Sequence, residues 1–293
     1  LGKNNIDFAR AAFEEISTRG DCVAVALDVS KFFDTLDHAQ LRDRWVRLLG
    51  TSSLPPDHYA VYKALTRFSF VDRDEAFAAL GVSVHTPRSG GKHRLCSPAD
   101  FRLRVRAAGQ IKVNQHKYGI PQGTAISALL SNVYMLDFDA AAHAFASSYG
   151  GRYMRYCDDI LFIMPMALGA ATESFCTAEV AKLKLAINPA KTDTCYFAKK
   201  GAAQISTKPL QYLGFLFDGR QILIRSAAFA KFSNRMKRGV SLAKQTMRSR
   251  AGTRQSKLRA AMSRPFINER SSPVTRISAA GIFFDTATPR PRK

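Results

Sequence analysis

This sequence of 293 residues has few acidic residues and few cysteines, and its apolar runs are short. The longest apolar run of the central region, residues 160–171, is interrupted by Pro165 and is far shorter than the roughly 20 residues of a membrane-spanning helix. The five cysteines are odd in number and widely spaced, which excludes a disulfide framework and a zinc-binding pattern. The first residues do not show a charged segment followed by an apolar one, so we do not expect secretion. We therefore expect a soluble, cytoplasmic protein with no membrane partner.

Basic residues are in large excess. The 44 Lys and Arg residues outnumber the 23 Asp and Glu residues, which gives a net charge of +21. Residues 227–293 hold sixteen of the basic residues and two acids, Glu269 and Asp285. A solvated helix face would explain one basic helix, but an excess spread over such a length favours contact with nucleic acid. We expect a folded core followed by a basic appendage. Because the chain begins with Leu1, we also expect the numbering to start inside a longer protein.

Hydrophobic periodicity changes repeatedly between helix and strand spacing. Helix spacing is found at residues 6–18, 32–49, 120–139 and 180–185. In the third of these, Leu129 is among the residues predicted to face the core. Strand patterns are found at residues 22–27, 153–156, 160–164, 194–197, 210–217 and 221–224. A basic amphipathic helix is predicted from Ser226. The mixture indicates an α+β fold with a mainly antiparallel sheet.

Three aspartates stand where predicted strands end. Asp28 follows a buried strand, and Asp158 and Asp159 lie at a bend between two apolar runs. Burial of an unpaired carboxylate costs several kcal/mol, so a buried acid is expected to be paired or to bind a metal. A polar turn would account for either motif alone. Adjacent carboxylates are hard oxygen ligands that suit Mg²⁺, and two such ions can assist phosphoryl transfer.

Five segments resemble, in order, the motifs of reverse transcriptases of the bacterial retron, group II intron and phage-defence kinds. They are ALDVSKFFDTLDH (26–38), GIPQGTAISALLSNVYM (119–135), RYCDDILFI (155–163), INPAKTDTCYF (187–197) and LQYLGFLFD (210–218). The second and third segments are highly specific in their wording, order and spacing. The resemblance implies a right-hand polymerase with an antiparallel-sheet palm, partial fingers and a helical thumb.

The resemblance also implies a division of the chain. Residues 1–21 would be a remnant of the fingers and an N-terminal helix, since the family has a substantial fingers segment before the first motif. Residues 22–225 would form the palm, with a fingers insertion at about 50–118, and residues 226–293 a basic helical thumb and tail. Six basic residues of the insertion are interpreted either as template-backbone contacts or as a solvated face: Arg88, Lys92, Arg94, Arg102, Arg104 and Arg106.

Roles in metal binding follow from the resemblance. Asp28, Asp158 and Asp159 would be the catalytic acids that hold two Mg²⁺ ions, with Mn²⁺ as an alternative ion. The backbone at Val29 would also face a metal. Cys157 has no histidine or other general base beside it, so it is interpreted as a packing residue and not as a nucleophile.

Roles in nucleotide and primer binding also follow from the resemblance. Phe33 would be the steric gate that excludes a ribose 2′-OH, the alternative being plain core packing. The other nucleotide-binding residues would be Gln122, Gly123 and Lys191, although an ordinary surface lysine is an equal interpretation of the last. Primer contacts would come from Tyr156, Leu213 and Gly214.

The expected function is template-directed DNA synthesis in bacterial antiviral defence. The expected partners are an RNA and DNA template and primer, deoxynucleotide triphosphates, and a non-coding RNA or partner protein. A retron or group II intron type of enzyme acting with its own structured RNA is an alternative. An RNA-synthesising polymerase would need a small or polar group at Phe33. A non-catalytic nucleic-acid scaffold would have no reason to keep three mutually repelling acids.

Overall fold

The computed structural model describes residues 4–83, 85, 94–201 and 203–249. The described α-helices are α1 (Asn5–Arg19), α2 (Phe32–Thr35), α3 (His38–Leu49), α4 (Pro56–Thr66), α5 (Arg73–Leu80), α6 (Pro98–Phe101), α7 (Ser127–Ser148), α8 (Gly169–Lys182) and α9 (Ser226–Ser249). The described strands are β1 (Cys22–Asp28), β2 (Ser69–Phe70), β3 (Lys112–Val113), β4 (Arg152–Tyr156), β5 (Asp159–Met164), β6 (Asp193–Lys200), β7 (Ala203–Ser206), β8 (Leu210–Tyr212), β9 (Phe215–Phe217) and β10 (Ile222–Ile224). None of the helices in these ranges is long and apolar enough to cross a membrane.

Two compact units make up the chain. Unit 1 comprises Leu1–Ser30 and Met135–Lys293, and unit 2 comprises Lys31–Tyr134. The three-part division into palm, fingers insertion and thumb stays a prediction. Of the residues named for it, Arg88, Lys92 and everything after Ser249 lie outside the described residues.

Unit 1 is built on a five-stranded antiparallel sheet with the order β4-β5-β1-β6-β7. Every residue of β1 is buried, because its sequence CVAVALD is apolar up to its last residue and the strand lies at the centre of the sheet. A second antiparallel sheet has the order β10-β9-β8. The predicted α+β class with an antiparallel sheet is confirmed.

Helix α1 covers part of the core of unit 1. It begins at a capping box in which the Asn4 side chain accepts from the backbone N–H of Asp7, and the Asp7 carboxylate accepts from that of Asn4. Its apolar face buries Phe8, Phe13 and Ile16, and the Phe13 ring stacks on Phe217 of β9 at 4.8 Å. The helix therefore joins the core beneath both sheets.

An ion-pair cluster ties α1 to β4. Glu15 accepts hydrogen bonds from Arg19 at 2.6 Å and from Arg152 at 2.5 Å, and all three side chains are largely buried. Burial would raise the pKa of Glu15, but the hydrogen bonds from Arg152 and Arg19 outweigh it and hold that pKa below its ordinary value. The folded state therefore favours the ionised carboxylate.

We expect Glu15→Gln to lower the free energy of unfolding by about 1–2 kcal/mol at neutral pH, since charged hydrogen bonds are lost. Because the folded pKa is depressed, this stabilisation is complete above the unfolded pKa and is lost as pH falls through the folded pKa. Denaturant titrations at several pH values measure the difference. Glu14→Gln is the matched control, because Glu14 is exposed and its carboxylate pairs with the exposed Arg10. An equal loss in both variants, or a loss that persists at low pH, contradicts the assignment.

In unit 2 the predicted helical region 32–49 is two helices. The chain leaves the helical conformation at Leu36 (ψ 115°), and Asp37 starts α3 by accepting a hydrogen bond from the Gln40 N–H at 2.9 Å. An aspartate at this position competes with the helical backbone and favours a new N-cap. The single-helix prediction was wrong for this reason.

Further predictions about helices and strands were wrong or incomplete. Helix α7 begins at Ser127 and not at residue 120, because Gly119 and Gly123 have φ of 87° and 90° and hold the segment before it in a loop. Leu129 does not face the core but is 55% exposed. Helix α8 is longer than the predicted 180–185, and α5 and β7 were not predicted at all.

Candidate active site

The three aspartates lie at one end of the unit 1 sheet. Asp28 is the last residue of β1 and Asp159 the first of β5, and the two are direct partners across the antiparallel ladder. Directly opposed residues in such a ladder point to the same face. Asp158 lies in the two-residue turn between β4 and β5, where its carbonyl accepts from the Val29 N–H at 3.4 Å. Val29 itself is buried.

The electrostatics of Asp159 reflect this crowding. Burial and the neighbouring charges of Asp158 and Asp28 raise its pKa to about 6, and Lys191 opposes the shift. Neighbouring carboxylates that are both ionised repel each other unless a cation lies between them. The negative charges around Asp159 therefore disfavour its ionised form.

The ammonium group of Lys191 forms an ion pair with Asp28. Its Nζ lies 2.9 Å from Asp28 Oδ2, and hydrogen bonding to that carboxylate raises the pKa of the lysine. A 3₁₀ turn, Pro189–Lys191, places it, and Asn188 caps that turn by accepting from the Ala190 N–H. The Asn188 N–H donates to Asp28 O at 2.8 Å, so the turn is attached to the end of β1.

The carboxylates fit a hard divalent cation by their chemistry. In the described parts of the chain, no three His, Cys, Asp or Glu side chains stand together as a ready ligand set. Carboxylate oxygens are nevertheless the ligands that Mg²⁺ prefers. The Lys191 ammonium group pairs with Asp28, and the negative charges of Asp158 and Asp28 contribute to the raised pKa of Asp159. The donor set therefore fits a hard divalent cation by its chemistry.

The turn that carries Asp158 is anchored by residues that sequence reasoning missed. Arg155 binds both carboxylate oxygens of Asp139, at 2.7 and 2.6 Å, and donates from Nη1 to the Cys157 carbonyl at 2.8 Å. The Tyr153 hydroxyl donates to the same carboxylate at 2.6 Å. An arginine in the middle of a buried strand is a signal for such a network, because a buried charge needs a partner.

Two other residues of this hairpin were named from the sequence. Burial and the Asp158 charge raise the pKa of the Cys157 thiol to about 12, so the thiol is neutral near pH 7. The thiol is therefore a poor nucleophile, in keeping with the packing interpretation. The Tyr156 ring is half-buried and meets the Phe8 ring edge-on at 5.3 Å.

The predicted primer-contact turn joins β8 to β9. Leu213 and Gly214 have φ of 48° and 92°, as a two-residue type I′ hairpin turn requires. The Leu213 carbonyl accepts from the Asn5 side chain at 3.4 Å, and the Gly214 carbonyl accepts from the Arg225 N–H at 3.0 Å. The turn is thus tied to α1 and to the residue that precedes α9, and its contact with a primer stays a prediction.

Unit 2 holds Phe33, Gln122 and Gly123. The Ile120 N–H donates to Phe33 O, and the Gly119 N–H donates to Leu36 O, both at 2.9 Å. These bonds bring Phe33 to the segment that carries Gln122. The Phe33 ring is half-buried and lies 5.5 Å from Phe32, whereas Gln122 and Gly123 are exposed. A Cβ added to Gly123 would meet nothing within 4 Å, so the space beside it is open.

The chain matches the model of a known protein family over most of its length. The model of the reverse transcriptase (RNA-dependent DNA polymerase) family matches residues 4–217. Because this match covers most of the chain, the chain belongs to the reverse transcriptase family, whose enzymes are RNA-directed DNA polymerases and nucleotidyltransferases. The resemblance found in the sequence is confirmed at the level of the family.

Solved telomerase structures are similar to the chain. The Candida tropicalis telomerase truncated from its C-terminal domain is 12% identical with a TM-score of 0.50, and the match covers 76% of this chain and 40% of that one. The C. tropicalis telomerase in complex with a TWJ fragment of telomeric RNA is 13% identical with a TM-score of 0.46, covering 82% and 38%. The first similarity supports the fold alone. The chain thus spans about 40% of the length of these telomerases. A search of curated proteins finds no match.

Proposed function

We propose that the protein copies a nucleic-acid template into DNA by transferring deoxynucleotides to a primer hydroxyl. One observation carries this proposal: Asp28 and Asp159 are opposed on adjacent strands with Asp158 in the turn beside them. Membership of the reverse transcriptase family supports the same reaction.

The reaction forms one P–O bond and breaks another. The hydroxyl oxygen at the primer terminus attacks the α-phosphorus of the nucleotide, the bond to the β-phosphate oxygen breaks, and pyrophosphate leaves. Asp28 and Asp158 would hold two Mg²⁺ ions, or Mn²⁺ ions, and Asp159 would assist in the same cluster. Held by these residues, two such ions would activate the attacking hydroxyl and stabilise the leaving oxygen.

Phe33, Gln122 and Gly123 would select the nucleotide. The Phe33 ring would occupy the space that a ribose 2′-OH needs, so deoxynucleotides would be preferred. Gln122 would touch the incoming nucleotide, and the open space at Gly123 would let it approach the backbone closely.

Basic residues would hold the template and primer. Helix α9 begins at Ser226, as predicted, and exposes five of them: Lys231, Arg235, Lys237, Arg238 and Lys244. With a net charge of +21, the chain would bind the phosphate backbone in a salt-dependent manner. Tyr156, Leu213 and Gly214 would then contact the primer end.

Primer extension tests the proposal. A labelled primer is annealed to an RNA or a DNA template and incubated with deoxynucleotides or ribonucleotides and Mg²⁺ or Mn²⁺. We expect deoxynucleotide incorporation on RNA that depends on the ion. Preference for ribonucleotides would indicate an RNA-synthesising polymerase. Nucleic-acid binding by the folded protein without any incorporation would indicate a scaffold.

We also propose a biological role in bacterial antiviral defence in the cytoplasm, with a retron or group II intron type of enzyme as the alternative. The motif wording supports the role, and five free cysteines suit a reducing compartment. Expression in bacteria challenged with phage, beside an inactive Asp158→Asn chain, tests protection. Sequencing of the copurified nucleic acid tests the alternative, which requires one structured RNA.

Lys191 is expected to assist departure of pyrophosphate as a proton donor. Lys191→Gln should lower kcat roughly a hundredfold, since general acid catalysis contributes at least that much. Lys182→Gln is the matched control, because both lysines are mostly exposed, at 62% and 68%, and Lys182 pairs with Glu179 away from the acids. Single-turnover primer extension measures both variants. Equal activity in the two would make Lys191 an ordinary surface lysine.

A further inference from the structure

The buried pair of Arg155 and Asp139 lies directly beneath the turn of the β4–β5 hairpin. Both side chains are completely buried, and the guanidinium binds both carboxylate oxygens. A buried ion pair is often no more stable than apolar residues of the same volume. Stability alone therefore does not account for charges at these two positions. The third hydrogen bond of the guanidinium indicates another role for Arg155.

The third contact reaches the turn backbone. Arg155 Nη1 donates to the Cys157 carbonyl at 2.8 Å, and Cys157 has a φ of 58°. This left-handed conformation is unfavourable for a residue with a Cβ, and glycine is the usual choice there. The guanidinium is planar and rigid, so fixing two of its nitrogens on Asp139 also fixes the position of Nη1.

The Cys157 carbonyl belongs to the same planar peptide unit as the backbone nitrogen of Asp158. A hydrogen bond to that carbonyl therefore restricts the orientation of the unit that leads into Asp158. On its other side, the Asp158 carbonyl accepts from the Val29 N–H. Two hydrogen bonds therefore hold the turn, one from Arg155 to the Cys157 carbonyl and one from Val29, just after β1, to the Asp158 carbonyl.

We propose that Arg155, anchored by Asp139, is a positioning residue that holds the Cys157–Asp158 turn so that the Asp158 carboxylate faces Asp28 and Asp159. This inference rests on the proposed function, because it assigns Arg155 a role in the same reaction. Because its side chain is completely buried, Arg155 would act through the turn and not by touching substrate.

Two single variants separate positioning from folding. Arg155→Lys keeps a positive charge for Asp139 but cannot make all three hydrogen bonds of the guanidinium. Tyr153→Phe removes the hydrogen bond to the same Asp139 carboxylate and leaves the contact with Cys157 intact. Both variants weaken the hydrogen bonding around Asp139. Only Arg155→Lys would also free the Cys157 carbonyl and the turn that it belongs to.

We expect Arg155→Lys to lower kcat by ten- to a hundredfold and to raise the Mg²⁺ concentration for half-maximal rate, with little change in the KM for deoxynucleotide. Tyr153→Phe should keep kcat within threefold. Amide hydrogen exchange at residues 156–160 should quicken in the lysine variant alone. Equal losses of kcat in both variants, or unchanged exchange in Arg155→Lys, would overturn the proposal.

A third variant covers the case in which Arg155→Lys does not fold. The combination Arg155→Met, Asp139→Leu and Tyr153→Phe replaces the network by apolar groups and leaves no buried charge unpaired. The proposal expects this protein to fold and to show fast exchange at the turn and low kcat. If the triple variant kept the kcat and the exchange rate of the unchanged chain, the network would be only structural. A wild-type chain without incorporation would contradict the proposed function instead, and the exchange comparison would still decide the role of Arg155.

Discussion

Asp158→Asn is expected to lower deoxynucleotide incorporation by at least about a thousandfold, since the ions that the acids hold supply several kcal/mol of transition-state stabilisation. Asp28→Asn should have a similar effect. Both aspartates stand at the end of the unit 1 sheet, where one negative charge fewer weakens the cluster that a divalent cation would bind. Single-turnover primer extension measures the rate, and circular dichroism with thermal unfolding verifies the fold.

Asp43→Asn is the matched control for both variants. Asp43 lies on α3 with an exposed side chain, and its nearest cationic partner is Arg42 at 3.9 Å. We expect its incorporation rate to equal that of the unchanged chain. Incorporation that persists in Asp158→Asn and Asp28→Asn, with the fold intact, would remove these acids from the reaction.

Phe33→Val is expected to reduce the preference for deoxynucleotides over ribonucleotides by roughly a hundredfold, because a few missing carbon atoms in a pocket change discrimination by that order. The Phe33 backbone is bonded to Ile120, two residues before Gln122, and its ring is only half-buried. Truncation would leave space for a 2′-OH without emptying the core. The ratio of kcat/KM for matched deoxy- and ribonucleotides measures the change.

Phe70→Val is the control for the gate, since Phe70 is an exposed phenylalanine of the same unit. We expect it to leave sugar discrimination unchanged. A variant of Phe33 that discriminates as well as the unchanged chain, yet unfolds more readily, would establish plain core packing as the role of this ring.

The positions of the acids could be inferred from local pattern. A continuous apolar run that ends in Asp28 predicts a buried strand with a carboxylate at its end, and the structure has that strand. The two apolar runs around Asp158 and Asp159 likewise predict the hairpin of β4 and β5. These features depend on residues close together in the chain, so a pattern of side chains is sufficient to find them.

The interior of the site could not be inferred in this way. Asp139 is sixteen residues before Arg155 and lies on α7, and only packing of α7 against β4 makes the two a pair. The helix break at Leu36 was missed for a related reason, since the Asp37 cap and the Gly119–Leu36 bond act together. Tertiary contacts override helix periodicity at such points.

The sequence by itself determined the family, the α+β class, the strand ends that carry the acids and the basic character of the chain. The tertiary structure alone decided that Asp28 opposes Asp159, that Lys191 pairs with Asp28 and that Arg155 holds the Cys157 carbonyl. The physical reason is distance along the chain. Periodicity reports which face of one element is buried, whereas ladder register and buried ion pairs join groups that the sequence keeps far apart.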